Sequence, residues 1–194
     1  MKTKKTKTGV RKNGQVFEKM DVLRHFFEEP EREFHTRELA RLAGFAPSTI
    51  SKYLAEMVKS SVIVARESKG FMLFRSNTQS MLYKDAKLFY NIQQIRKSKL
   101  VEFLVEQFNQ PKAIILFGSF RKSENVPGSD IDIFIETAAK KDADLRKFEK
   151  KLGHSIQIIQ FSSKEVEQMK TRNKEMLNNI INGFLLEGYF EVFR

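Results

Sequence analysis

An α/β chain in two parts is the architecture this sequence predicts, and three observations carry that prediction. Over residues 15–59 apolar side chains recur at spacings of three and four, the period of helices packed on one face. Two short β-branched or aromatic runs then flank a basic, glycine-containing segment at 66–70, the pattern of a hairpin. Beyond residue 96, short apolar runs alternate with helical stretches, which predicts a small mixed sheet covered by helices.

In chain order, residues 1–14 hold six Lys/Arg and no acid, with Thr and Gly between them. Nothing in this stretch can pack, so it reads as a disordered basic tail. A first helix starts at Gln15 and carries Phe17, Met20, Val22, Leu23, Phe26 and Phe27 until Glu29-Pro30 ends it. Thr36 is placed as the N-cap of a second helix, with Glu38 in its first turn, Leu39 and Ala40 inward, and Gly44 as its stop. A third runs from Pro47 to about Lys59, with Ile50, Leu54, Met57 and Val58 inward. Strands are expected at 61–64 and 71–74 around the basic tip Arg66–Gly70.

Helix, glycine turn, helix with small polar residues at its start, then a hairpin: residues 15–76 resemble the winged helix-turn-helix domains of prokaryotic transcription regulators. That resemblance implies duplex DNA as a partner. Ser48, Thr49, Ser51 and Lys52 would enter the major groove, and Arg66, Lys69 and Arg75 would reach phosphates or the minor groove. Charge agrees. Residues 1–95 carry 18 Lys/Arg against 10 Asp/Glu, whereas 96–194 carry 17 against 14, so the basic excess gathers in the first half. A homodimer is the expected assembly, as two-fold operators favour.

Residues 77–95 form a break and a connecting helix, whose apolar stripe Leu82, Ala86, Phe89, Tyr90, Ile92 and Ile95 is expected to be buried. A further helix at 98–109 opens the second part, residues 96–194. After Pro111 comes Ala113–Glu136, AIILFGSFRKSENVPGSDIDIFIE, the most informative stretch of the chain. One apolar run ends in Gly118-Ser119; ten residues later Asp130-Ile131-Asp132 opens another. Strand alternation puts Asp130 and Asp132 on one face and Ile131, Ile133 and Ile135 on the other. Adjacent carboxylates repel unless a cation lies between them, and oxygen ligands select a hard ion, Mg²⁺ or Mn²⁺. The Gly-Ser turn offers backbone amides where a phosphate tail can approach closely. Farther on, a helix is expected at 142–152, a strand at 155–161, and a helix capped by Ser163 that bends or ends at Gly183.

Gly118-Ser119, ten residues, then Asp130-x-Asp132 resembles the signature of the DNA polymerase beta nucleotidyltransferase superfamily. The match is nearest to the minimal nucleotidyltransferases, including the antitoxins that adenylylate HEPN-type toxins. The resemblance implies a polymerase beta-like fold with a small mixed sheet, and transfer of a nucleotide, AMP from ATP, to a hydroxyl acceptor such as a partner toxin. Asp130 and Asp132 would be the catalytic metal ligands. Gly118, Ser119, Arg121 and Lys122 would bind the triphosphate. The family's third carboxylate falls at Gln157, a weak third-ligand candidate that cannot accept a proton. The other reading is therefore a transcription regulator whose degenerate second half only binds nucleotide or partner.

The absence of cysteine excludes disulfides, thiolate zinc sites and cysteine nucleophiles. No apolar run approaches about 18 residues, so no membrane partner is expected. The basic start lacks the apolar segment of a secretory signal, so the cytoplasm is the expected location.

Overall fold

The computed structural model describes residues 11–192, which divide between Tyr83 and Lys84 into two compact units. Of the expected basic tail, residues 1–10 lie outside the described residues, and residues 11–14 belong to the first helix.

In the first unit, α1 (Arg11–Glu28) begins earlier than the apolar pattern places it. It is followed by β1 (Phe34–His35), α2 (Thr36–Ala43), α3 (Pro47–Lys59), β2 (Ile63–Ser68) and β3 (Phe71–Ser76). The sheet order is β1-β3-β2, antiparallel throughout. Val22, Phe26, Phe27, Phe34, Leu39, Ile50, Leu54 and Ile63 are fully buried between helices and sheet. Phe26 meets Phe34 edge-to-face at 5.2 Å between ring centroids. Ser76 Oγ donates to the Phe26 carbonyl at 2.7 Å, which fixes the end of β3 against α1.

Two corrections concern local chemistry. The N-cap of α2 is His35 rather than Thr36, with Glu38 accepting from the His35 backbone N–H at 3.5 Å. The hairpin strands extend past the expected 61–64 and 71–74, so Arg66 is a strand residue and the turn shrinks to Lys69-Gly70. Both turn residues have positive φ, 51° and 77°, as a two-residue hairpin turn matched to strand twist requires.

α4 (Met81–Ser98) runs through the point of division, and Lys99, at φ 71°, separates it from α5 (Leu100–Gln107). Then come β4 (Ala113–Phe117), α6 (Gly118–Lys122), β5 (Ile131–Glu136), α7 (Arg146–Leu152), β6 (Ile156–Phe161), α8 (Ser163–Arg172), α9 (Lys174–Ile181) and β7 (Phe184–Gly188). The sheet order is β6-β5-β4-β7; β5 and β6 are parallel, and β4 is antiparallel to both neighbours. Strand alternation divides the apolar residues between two cores. Ile114, Leu116, Ile131, Ile133, Ile135 and Ile156 pack on one face with Ile95, Leu100, Leu104 and Phe108. Ala113, Ile115, Phe117 and Phe134 pack on the other with Val166, Met169, Leu177 and Ile180.

Three elements differ from the sequence pattern. The single late helix is two, broken at Asn173, whose side-chain oxygen accepts from the Met176 N–H at 3.1 Å and caps the second. Its first N-cap is Ser162, in a reciprocal capping box with Glu165, rather than Ser163. Phe184–Gly188 returns as an edge strand beside β4. The phase of α4 also differs. Ile92 and Ile95 are buried as expected, but Leu82 and Phe89, also expected inward, are 50% and 55% exposed, and Tyr83, Lys87 and Asn91 are buried. Lys87 and Asn91 bond to backbone carbonyls, so polar residues occupy the inward face that apolar periodicity assigned elsewhere.

Candidate active site and basic surface

The strand pair β4–β5 builds the site at one end of the sheet. Antiparallel register sets Phe117, the last residue of β4, opposite Asp132, and parallel register sets Asp132 beside Gln157 on β6. Asp130 lies just before β5, on the same strand face as Asp132. Immediately after Phe117 the chain turns at Gly118, whose φ is +67°. A Cβ there would lie 2.0 Å from Asp132 Oδ2, so only glycine lets the backbone come this close to the carboxylate. The glycine turn and Asp132 therefore meet at one end of the sheet, with Asp130 two residues away in the chain.

The half-buried Asp132 carboxyl is held above the usual carboxylate range, first by loss of hydration and second by the negative charge of Asp130. Asp130 is engaged too: Gln157 Nε2 donates to its Oδ2 at 2.6 Å. Gln157, expected as a weak third ligand, thus stands beside Asp132 in the sheet and turns its amide N–H to the Asp130 carboxylate. Among the described residues no group of three His, Cys, Asp or Glu could hold a metal ion. Two carboxylates with a glutamine beside them suit a hard cation as the principal oxygen donors. The electrostatic strain at Asp132 is what such a cation would relieve.

Ser119 is half-buried, and its carbonyl accepts the Glu124 N–H at 2.9 Å, closing the segment after the turn into a tight loop. Arg121 is half-buried with its Nε lacking a hydrogen-bond partner, and Lys122 is exposed. These positions put two cations just past the turn, where the charge pattern of the sequence expects them. Sequence reasoning passed over His154, because an isolated imidazole has no spacing signal. Its Nδ1 lies 2.7 Å from the Ser129 carbonyl, next to Asp130, and its ring meets Phe120 edge-on at 4.9 Å. Cavities of about 560 Å³ at α5 and β7 and about 520 Å³ at Asn109–Lys112 are not lined by Asp130 or Asp132. Chemistry, not cavity size, marks this site.

In the first unit, Ser48, Ser51 and Lys52 are exposed at the start of α3 and Thr49 is half-buried, so the first turns of α3 present the small polar face read from the sequence. Lys69 is exposed in the hairpin turn, and Arg75 is exposed on β3. Arg66 is differently placed. Its guanidinium makes a two-pronged ion pair with Glu33, both bonds at 2.5 Å, and this holds the Glu33 carboxyl below its ordinary range. Tyr53 is buried and its hydroxyl donates to Glu18, so it serves the core.

No helix among the described residues is long and apolar enough to cross a membrane. Neither a curated protein nor a solved structure matches the chain. Residues 97–183 match the family model of the nucleotidyltransferase domain, a span that begins at the end of α4 and holds the glycine turn, the aspartate pair and Gln157. The second unit therefore carries a nucleotidyltransferase domain.

Proposed function

We propose that this chain is a metal-dependent nucleotidyltransferase that moves a nucleotide, AMP from ATP, from a nucleoside triphosphate to a hydroxyl of a partner protein, and that its first unit is a winged helix-turn-helix that binds duplex DNA. The observation that carries the catalytic half is the contact between Gly118 and Asp132. A backbone turn that excludes any side chain, packed on one of two like-charged carboxylates, suits a triphosphate–metal pair. Asp130 and Asp132 would hold Mg²⁺ or Mn²⁺, which supplies charge neutralisation at the phosphates and acidity at the acceptor oxygen. The backbone and hydroxyl of Gly118-Ser119 orient the phosphate tail, and Arg121 and Lys122 add positive charge beside it. A HEPN-type toxin is the acceptor class that fits the resemblance, and the DNA-binding unit would then regulate transcription.

For the DNA-binding half, the exposed residues Ser48, Ser51 and Lys52 on α3, with Lys69 and Arg75 on the hairpin, support groove and phosphate contacts. Arg66 is exposed as well, but its ion pair with Glu33 competes with any phosphate contact.

One observation favours a second reading. Gln157 takes the third-ligand position and hydrogen-bonds Asp130, which fits a regulator that binds nucleotide or partner without transferring anything. Incubation of the purified chain with α-labelled ATP, Mg²⁺ and a candidate acceptor separates the two. Label on the acceptor, lost in Asp132→Asn, supports transfer; bound ATP with no transfer to any hydroxyl protein supports the regulator.

A further inference from the structure

α4 turns a polar face inward, against the loop that follows the glycine turn. Lys87 is 1% exposed, Asn91 3% and Asn125 6%, and each is bonded within the second unit. The Lys87 ammonium donates to the Asn125 carbonyl. Asn91 Nδ2 donates to the Phe120 carbonyl and to Asn125 Oδ1, both at 2.9 Å. Ser123, in the left-handed region at φ 61°, donates its hydroxyl to the Lys84 carbonyl at 2.7 Å. Four side chains thus fasten one loop, Phe120–Asn125, to one helix.

A lysine is a poor choice for holding a fold together. Burying an ammonium is unfavourable relative to an apolar residue of similar length, whatever its partners, and two-residue hydrophobic packing would fix the helix as well. Burial alone lowers the Lys87 ammonium to about 8, so the folded state disfavours the charge it keeps at neutral pH. A residue that weakens the fold in this way invites a functional account. The loop it grips carries Arg121 and Lys122 and is continuous with Gly118-Ser119. The Ser119 carbonyl is itself bound by Glu124 N–H at 2.9 Å.

We infer that Lys87 and Asn91 are positioning residues for the nucleotide, holding the Gly118–Asn125 segment in the shape that receives the triphosphate. This rests on the nucleotidyltransferase reading and deepens it. Neither side chain need touch the substrate. The Lys87 donor fixes the far end of the loop at Asn125, and Asn91 fixes its middle at Phe120. A segment pre-shaped by α4 loses less freedom when it closes on phosphates, so the gain appears in nucleotide affinity rather than in stability.

The test uses the full chain and Mg²⁺·ATP as the probe. Lys87→Met keeps length and removes the ammonium; Lys87→Gln keeps an N–H donor. The expected result is Mg²⁺·ATP binding at least tenfold weaker in Lys87→Met and within about threefold of wild type in Lys87→Gln, with the melting midpoint of Lys87→Met unchanged or raised. Faster amide exchange confined to residues 119–125 of Lys87→Met, relative to wild type, is expected alongside. A lower midpoint with unchanged affinity makes Lys87 merely structural and overturns the inference, as does equal affinity in all three chains. Should Lys87→Met not fold, Asn91→Ser carries the test, with several-fold weaker binding expected and wild-type affinity overturning the proposal. Wild-type chain that does not bind Mg²⁺·ATP refutes the underlying nucleotide-site reading instead, a different outcome from a bound nucleotide indifferent to Lys87.

Discussion

Replacing Gln157 by Asp tests the central feature of the site. In the wild type the Gln157 amide donates to Asp130 at 2.6 Å, a bond to a charged acceptor at a partly exposed position. Such a bond contributes about 1 kcal/mol once solvent competition is allowed for. Gln157→Asp removes it and adds a third negative charge beside Asp130 and Asp132. Two charges about 4 Å apart repel by about 1 kcal/mol in bulk water and about 4 kcal/mol near a protein surface. The metal-free variant should therefore lose about 2 kcal/mol, a fall in melting midpoint of roughly 8 °C for a unit of this size. Mg²⁺ reverses the sign. A three-carboxylate site that binds the ion at a hundredth of its free concentration regains about 2.7 kcal/mol by mass action. Melting curves of wild type and Gln157→Asp, with EDTA and with excess Mg²⁺, read both halves. If the variant melts with wild type in EDTA, or gains no more from Mg²⁺ than wild type does, the placement of Gln157 in the metal site is wrong. Should the transfer reaction be established, the same variant is expected to be faster, since a proton acceptor is worth about 10²–10⁴ in rate.

Further substitutions probe neighbouring parts. Gly118→Ala forces a Cβ to 2.0 Å from Asp132 Oδ2 at a left-handed φ, so chemical denaturation should record a loss of about 1–3 kcal/mol together with loss of nucleotide binding. Asp132→Asn should behave oppositely in stability. The folded carboxyl is raised, so the folded state holds more protons than the unfolded one just above the ordinary carboxylate range, and wild-type stability declines as pH rises through that window. The variant removes the decline, which thermal melts against pH would record, and abolishes Mg²⁺·ATP binding. Lys87 gives the reverse slope. Its folded value of about 8 lies below the ordinary 10.5, the unfolded chain holds more protons between them, and stability rises across that interval by up to about 3 kcal/mol. Lys87→Met should flatten that rise in the same melts. Salt-dependent retention on duplex DNA should fall for Lys52→Ala and Arg75→Ala but change little for Arg66→Ala, whose charge is engaged by Glu33.

Legibility in the sequence followed the range of the forces involved. Alternation along Ile131–Glu136 fixed which face the aspartates share, because a one-residue slip would carry Asp132 into the core that holds the isoleucines of β5. The glycine turn was legible because a Cβ at that position would collide with Asp132. Less visible were features decided by partners distant in the chain. The inward phase of α4 depends on Lys87 and Asn91 meeting carbonyls at Asn125 and Phe120, and no local pattern marks a lysine for burial. Two-residue β1 gains its identity only from pairing with Phe74 and Leu73. His154 could be noticed only once β6 and the loop before β5 were side by side. The Glu33–Arg66 pair, which joins residues far apart in the chain, likewise engages an exposed basic side chain that the charge pattern assigns to DNA.

The return strand β7 begins at Phe184, just past the segment that matches the nucleotidyltransferase family, and hydrogen-bonds along β4 from Leu116 to Ala113. A chain shortened after Gly183 would therefore keep the glycine turn and both aspartates while stripping one flank from the most apolar strand of the unit. An unprotected ladder of that kind recruits other strands, so the shortened protein is expected to self-associate even though its chemistry is complete. The boundary of the domain as a folding entity lies several residues beyond its boundary as a recognisable motif.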